Sequence, residues 1–145
     1  MTTPTYETDF YAWTQAQAAA LRAKDVAALD IEHVAEAIET LGMNEKRAIS
    51  RQLQRLLAHL LKWHYQPTHR TPSWRRTIRQ ARDAIADVLE NSHSLRTYPT
   101  QRVPLAYRRA RRDAADDTGL PLATFPEACL WTVAQALDED FWPEV

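Results

Sequence analysis

With 145 residues, 45% of them hydrophobic and 26% charged, the chain has the size and composition of one globular domain that buries a core without disulfides or metals, and it does not read as disordered. Gly42 and Gly119 are the only glycines, too few for the turns and phosphate loops of all-β and α/β folds, and Cys129 is the only cysteine, which excludes an internal disulfide and a thiolate zinc site. The formal net charge of −1 hides a strong sorting of charge. No apolar run approaches the ~18 residues of a membrane span, and the opening MTTPTYETDFYAW lacks a signal's basic and apolar regions, so the expected compartment is the cytoplasm.

Caps, breakers and hydrophobic period predict the elements in order. Thr8 or Asp9 caps a first helix with Phe10, Trp13, Gln17 and Leu21 on one face, among alanines that favour helix. Asp25 and Asp30 read as successive caps. After Asp30 the apolar positions Ile31, Val34, Ile38 and Leu41 are spaced by three, four and three, and Gly42 is expected to end that helix as a left-handed cap. Asn44 then opens the longest helix, with a wide stripe of Ile49, Leu53, Leu56, Leu60 and Trp63 flanked by Leu57 and Leu61. Pro67 ends it. Thr71 or Ser73 starts a fourth helix, Pro72 lying in its first turn, with Trp74, Ile78, Ala81, Ile85 and Val88 inward.

Residues 91–94 break that helix. Pro99 and Pro104 bound an irregular piece before a fifth helix through Val103, Tyr107, Ala110 and Ala114, stopped by Gly119 and Pro121. Phe125-Pro126-Glu127 suggests one further turn, and Thr132 with Gln135 is a capping box for a short last helix. No repeat or linker interrupts the chain. The fold expected is all-α: one bundle-like domain over 1–145, of five to seven helices, built around an antiparallel hairpin of about 44–66 and 72–91.

Residues 1–43 carry two basic and seven acidic side chains, a balance of −5; residues 44–112 carry sixteen and four, +12; residues 113–145 carry none and eight, −8. Fifteen of the eighteen basic residues are arginine. In one reading the charges pair internally. Glu32, Glu36 and Glu39 share a face, Arg47, Arg51, Arg55 and His59 follow at four-residue steps, and the two stripes meet across a hairpin. In the other, part of the basic centre stays open to nucleic acid or an acidic partner. Its candidates are Arg70, Arg75, Arg76, Arg79 and Arg82 on the fourth helix, and Arg108, Arg109, Arg111 and Arg112 on the fifth. Trp74 and Tyr107 would stack on bases if exposed, but they sit on the apolar stripes.

Residues 59–82 read HLLKWHYQPTHRTPSWRRTIRQAR. His59, Lys62, Trp63, Gln66, Pro67, Arg70, Ser73, Trp74, Thr77, Ile78, Gln80 and Arg82 stand in a pattern that resembles DUF29, a bacterial family of unknown function. Asp9-Phe10-Tyr11-Ala12-Trp13, the block from Leu29-Asp30 to Leu41-Gly42, Thr118-Gly119-Leu120-Pro121, Phe125-Pro126 and Asp138-Glu139-Asp140-Phe141 extend the likeness over nearly the whole chain. His33 and Ala37 depart from the asparagine and glutamate of the pattern. The resemblance implies an all-helical, bacterial, cytoplasmic protein and no particular reaction.

The loop at Pro67 gathers the candidate binding residues His59, Lys62, Gln66, Arg70, Ser73, Arg75, Thr77, Arg79, Gln80 and Arg82. The plain alternative is that Trp63 and Trp74 clamp the hairpin while these polar groups satisfy helix ends. His59, His64 and His69, five apart, share no helical face, and no HExxH occurs, so neither metal nor cofactor is expected. No nucleophile elbow surrounds Ser73. Arg55 and His59 form R-x-x-x-H on one helical face, a spacing suited to phosphate binding and proton transfer. The sequence therefore points first to a non-enzymatic binding protein with a basic cluster at the Pro67 loop. The alternatives are a ribonuclease-like, phosphate-handling enzyme using Arg55 and His59, or a structural or homo-oligomerising helical protein with internal charge pairing.

Overall fold

The computed structural model describes residues 3–144. Its helices are α1 (Phe10–Arg22), α2 (Ile31–Tyr65), α3 (Pro72–Asn91), α4 (Tyr98–Thr118) and α5 (Val133–Leu137), joined by single 3-10 turns, with no strand among the described residues. The fold is all-α. By contacts the chain divides into two units, Met1–Asn44 and Glu45–Val145, with the boundary inside α2.

In the first unit, Asp9 caps α1 by accepting from the Ala12 N–H at 3.0 Å. Asp30 is the corner residue. Its carboxylate accepts from Trp13 Nε1 at 3.1 Å and pairs with His33 Nδ1 at 2.8 Å, while its own N–H donates to Gln17 Oε1 at 2.7 Å. The His33 hydrogen bond holds the Asp30 carboxyl below its ordinary range, and Asp30 in turn raises the His33 imidazole. Tyr6 stacks on His33 and meets Trp13 edge-on, so the turn before α2 is closed by aromatic contacts. The expected apolar stripe on α2 is open: Ile31, Ile38 and Leu41 are exposed, and Ile31 and Ile38 with Leu21, Leu29, Val34 and Ala35 surround a shallow groove of about 250 Å³.

Two expectations about boundaries are corrected. Gly42 does not end a helix, and Asn44 does not open one, because α2 runs unbroken for 35 residues. Gly42 has no positive φ, and one glycine costs about 1 kcal/mol in a helix interior, little against the helix-forming Leu41, Met43, Glu45, Lys46 and Arg47 around it. With no turn between them, the glutamate and arginine stripes follow each other along one helix and form no hairpin ladder. Likewise Pro99 and Pro104 do not precede the next helix. Pro99 occupies the first turn of α4, where a missing N–H is harmless, and Pro104 lies inside it. The Thr100 carbonyl that Pro104 leaves without a helical donor belongs to an exposed residue.

In the second unit, the part of α2 after residue 45 packs with α3 and α4 in an up-down-up arrangement. Ser92, just past α3, bonds Glu45, while Arg75, near its start, lies over Trp63, so α3 runs antiparallel to α2. Tyr98 bonds Ser50 and Asp113 bonds Gln54, so α4 runs parallel to α2. The leucines of α2 meet Ile78, Ala81 and Ile85 of α3 and Ala106, Ala110 and Ala114 of α4 in one core. The alanine stripe lets α4 approach closely. Thr71, rather than Ser73, caps α3. Gly119 (φ 73°) ends α4 in the left-handed conformation, and the Thr132–Gln135 capping box opens α5 as expected.

A Cβ at Gly42 would meet nothing within 4 Å. Gly42→Ala should therefore stabilise the protein by about 0.5–1 kcal/mol, read as a higher midpoint in thermal unfolding followed by circular dichroism.

Candidate functional site

The hairpin end at Pro67 is where sequence reasoning gathered its binding residues, and there the chain's last described stretch returns. After Gly119, residues 120–143 run over the ends of α2, α3 and α4, with Phe125 fully buried against Tyr65. Three arginines hold this segment by its backbone. Arg82 donates from Nε to the Ala136 carbonyl at 2.8 Å and from Nη2 to the Phe141 carbonyl at 2.7 Å. Arg111 donates to the Phe125 carbonyl at 2.8 Å. Arg70 donates to the Trp63 carbonyl at 2.9 Å and reaches the Pro143 carbonyl at 3.4 Å. Tyr107 Oη adds a bond to the Pro126 carbonyl at 2.6 Å, and burial pushes its phenol up to about 12, which keeps it a donor. Trp142 packs on Trp63 with ring centroids 4.7 Å apart, and the Arg75 and Arg82 guanidiniums lie over it at 5.2 and 5.3 Å. Burial lowers the Arg82 pKa; Asp138 and Glu139 act against that.

The ten predicted residues are thus spread over several settings. Arg70 and Arg82 are held by carbonyls. Arg70 and Arg75 flank the Trp63 ring beside an open cavity of about 440 Å³ that Thr71 and Pro72 complete. Thr77 is buried, Ser73 and Gln80 are exposed, Gln66 is half-buried, and Arg79 is exposed beside Asp83, Glu139 and Asp140. Lys62 and His59 belong to a different surface, facing α4: Lys62 Nζ pairs with Asp117 at 3.2 Å while lying over Trp74. Trp74 and Tyr107 pack with the core.

On that other surface sequence reasoning named Arg55 and His59, but it did not bring Arg51 together with Arg102 and Arg109. Between α2 and α4, Arg47, Ser50, Arg51, Gln54, Arg102 and Arg109 line a cleft of about 350 Å³ that contains no carboxylate. Arg102 has its Nε buried without a hydrogen-bond partner. Among the described residues, Arg51, Arg102 and Arg109 make no ion pair, whereas Lys62 pairs with Asp117. Arg70, Arg82 and Arg111 meet backbone carbonyls rather than carboxylates. The cleft continues into a second cavity of about 340 Å³, lined by Arg51, Gln54, Arg55, Ala58 and His59 on α2 and by Asp113, Asp116 and Asp117 on α4. The signal for it was present as four-residue steps from Arg47 to His59 and a seven-residue step from Arg102 to Arg109. It was masked because Arg102 stood in a segment read as irregular.

His59 Nδ1 lies 2.9 Å from the Arg55 carbonyl. A carbonyl only accepts, so Nδ1 carries the hydrogen and Nε2 keeps its lone pair. Burial, with the Lys62 charge, holds its pKa below the ordinary value of 6.5. Among the described residues no cluster of His, Cys, Asp or Glu could hold a metal ion, and no helix is long and apolar enough to cross a membrane.

Compared with known proteins, residues 5–142 match the family described as Domain of unknown function DUF29. Comparisons with the curated proteins and with the solved structures find no match.

Arg82→Met removes both bonds to the returning segment and leaves the Ala136 and Phe141 carbonyls without a donor. It should lower the unfolding free energy by about 2–4 kcal/mol, measured by urea unfolding under tryptophan fluorescence. Arg82→Lys, which cannot reach two carbonyls with a planar fork, should recover less than half of the loss.

Proposed function

We propose that this chain, which belongs to the family described as Domain of unknown function DUF29, is a non-enzymatic binding protein that takes an anionic partner in the arginine cleft between α2 and α4. The observation that carries this reading is the convergence of Arg51, Arg102 and Arg109 on one cleft without a carboxylate, with the Arg102 Nε buried and unpartnered. Guanidiniums concentrated in this way favour an anion with several oxygens, because each can donate two parallel hydrogen bonds. Of the Pro67 cluster, Arg75 and Arg79 are exposed, but Arg75 lies over Trp63 and Trp142 and Arg79 beside three carboxylates, so neither belongs to this cleft. The family match over residues 5–142 supports reading 1–145 as one DUF29 domain, and the family resemblance supports a bacterial, cytoplasmic setting.

Pyrophosphate titrated calorimetrically at ~20 mM salt, where charges are weakly screened, should bind one site saturably. Affinity should fall as salt rises and drop roughly tenfold or more in Arg51→Glu with Arg109→Glu. If neither pyrophosphate nor an oligonucleotide binds, this reading fails.

One observation favours a second, enzymatic reading. Burial and the Lys62 charge lower the His59 pKa, which favours the neutral ring a general base requires, and His59 lines a cavity together with Arg51 and Arg55. Arg55 would hold a phosphodiester while His59 accepts the proton of the attacking hydroxyl, and the leaving oxygen would take a proton from solvent as its bond to phosphorus breaks. Degradation of a generic RNA that is lost in a folded His59→Ala variant would support this; degradation that persists unchanged removes His59 from the reaction.

A further inference from the structure

Along α4 the groove changes sign. Arg102 and Arg109 are seven residues apart, and Asp113 and Asp116 follow Arg109 on the same face at four and seven. At ~1.5 Å per residue the passage from Arg109 to Asp116 spans about 10 Å. Arg51 and Gln54 line both cavities, so the basic and acidic ends belong to one groove. Gln54 Nε2 donates to Asp113 Oδ2 at 2.8 Å and fixes that carboxylate in the wall, while Asp117 is taken by Lys62. Asp116 makes no hydrogen bond or ion pair among the described residues.

We propose that this groove takes one compact phosphate-bearing ligand whose other end is cationic or a hydrogen-bond donor. The phosphate lies against Arg51, Arg102 and Arg109, and the other end lies over Asp113 and Asp116. This rests on the anion-binding reading and narrows it. Three guanidiniums supply the bidentate donors that phosphate oxygens accept, on a cleft that no carboxylate lines. The acidic end rejects the obvious competitor. A nucleic-acid strand carries a phosphate about every 3.4 Å along a duplex, so a strand following the groove would bring its next charges against the carboxylates. Each cavity has the volume of a small-molecule site, about 350 and 340 Å³.

The test uses the full chain at low salt with three probes: O-phosphorylethanolamine, inorganic phosphate and a single-stranded 12-mer DNA. O-phosphorylethanolamine should bind about two- to fivefold tighter than phosphate and compete with it. Arg109→Gln should weaken both roughly tenfold. Asp113→Asn with Asp116→Asn should erase the preference and strengthen binding of the 12-mer; circular dichroism checks that each variant is folded. If the 12-mer binds wild type more tightly than O-phosphorylethanolamine, the compact ligand is wrong while anion binding stands. Equal affinity for phosphate and O-phosphorylethanolamine, unchanged by the asparagine substitutions, overturns the role of the acidic end. Failure of all three probes to saturate overturns both readings.

Discussion

The second unit depends on guanidinium groups bonded to backbone carbonyls. Arg70, Arg82 and Arg111 come from the α2–α3 turn, from α3 and from α4, and each ends on a carbonyl of the returning segment. A hydrogen bond to a charged donor contributes about 1.5–3 kcal/mol, and Arg82 makes two from one planar fork. These bonds seat Phe125 against Tyr65 and Trp142 on Trp63. For Arg70 and Arg82, carbonyl oxygens and indole faces take the place of carboxylate partners.

Much of the fold was legible in the sequence because its signals are local. The Asp9 cap, the left-handed Gly119, the Thr132–Gln135 box and the α2 leucine stripe each follow from a few neighbouring residues. Gly42 and the Pro99–Pro104 pair misled for the same reason. Gly42 weakens a helix locally and is overridden by strong helix formers on both sides, Pro99 is harmless in a first turn, and Pro104 is carried inside α4.

The candidate site was legible only in part. Arginines at the Pro67 end were visible, but their acceptors are main-chain oxygens some sixty to seventy residues away, for example Arg70 to Pro143 and Arg82 to Phe141. No side-chain pattern encodes such a partner. The α2–α4 cleft needed the register between two helices, set by Ser50–Tyr98 and Gln54–Asp113, before Arg51 and Arg109 could be seen as neighbours. Segment charge balances were a poor guide, since the boundary drawn at Asp113 divides a single helical face.

Because the acceptors in the returning segment are carbonyls, the arginine part of its anchorage does not depend on the side chains at its exposed positions. Every residue supplies a carbonyl, so substitutions at exposed positions such as Asp138 or Glu139 leave the Arg82 bonds chemically intact. The order of synthesis adds a second consequence. The helices α2 to α4 leave the ribosome before residues 125–143, so Trp63, Arg70 and Arg82 await partners until that stretch emerges. A nascent chain caught in that interval presents a three-helix intermediate with an apolar, positively charged end, the kind of surface that chaperones shield.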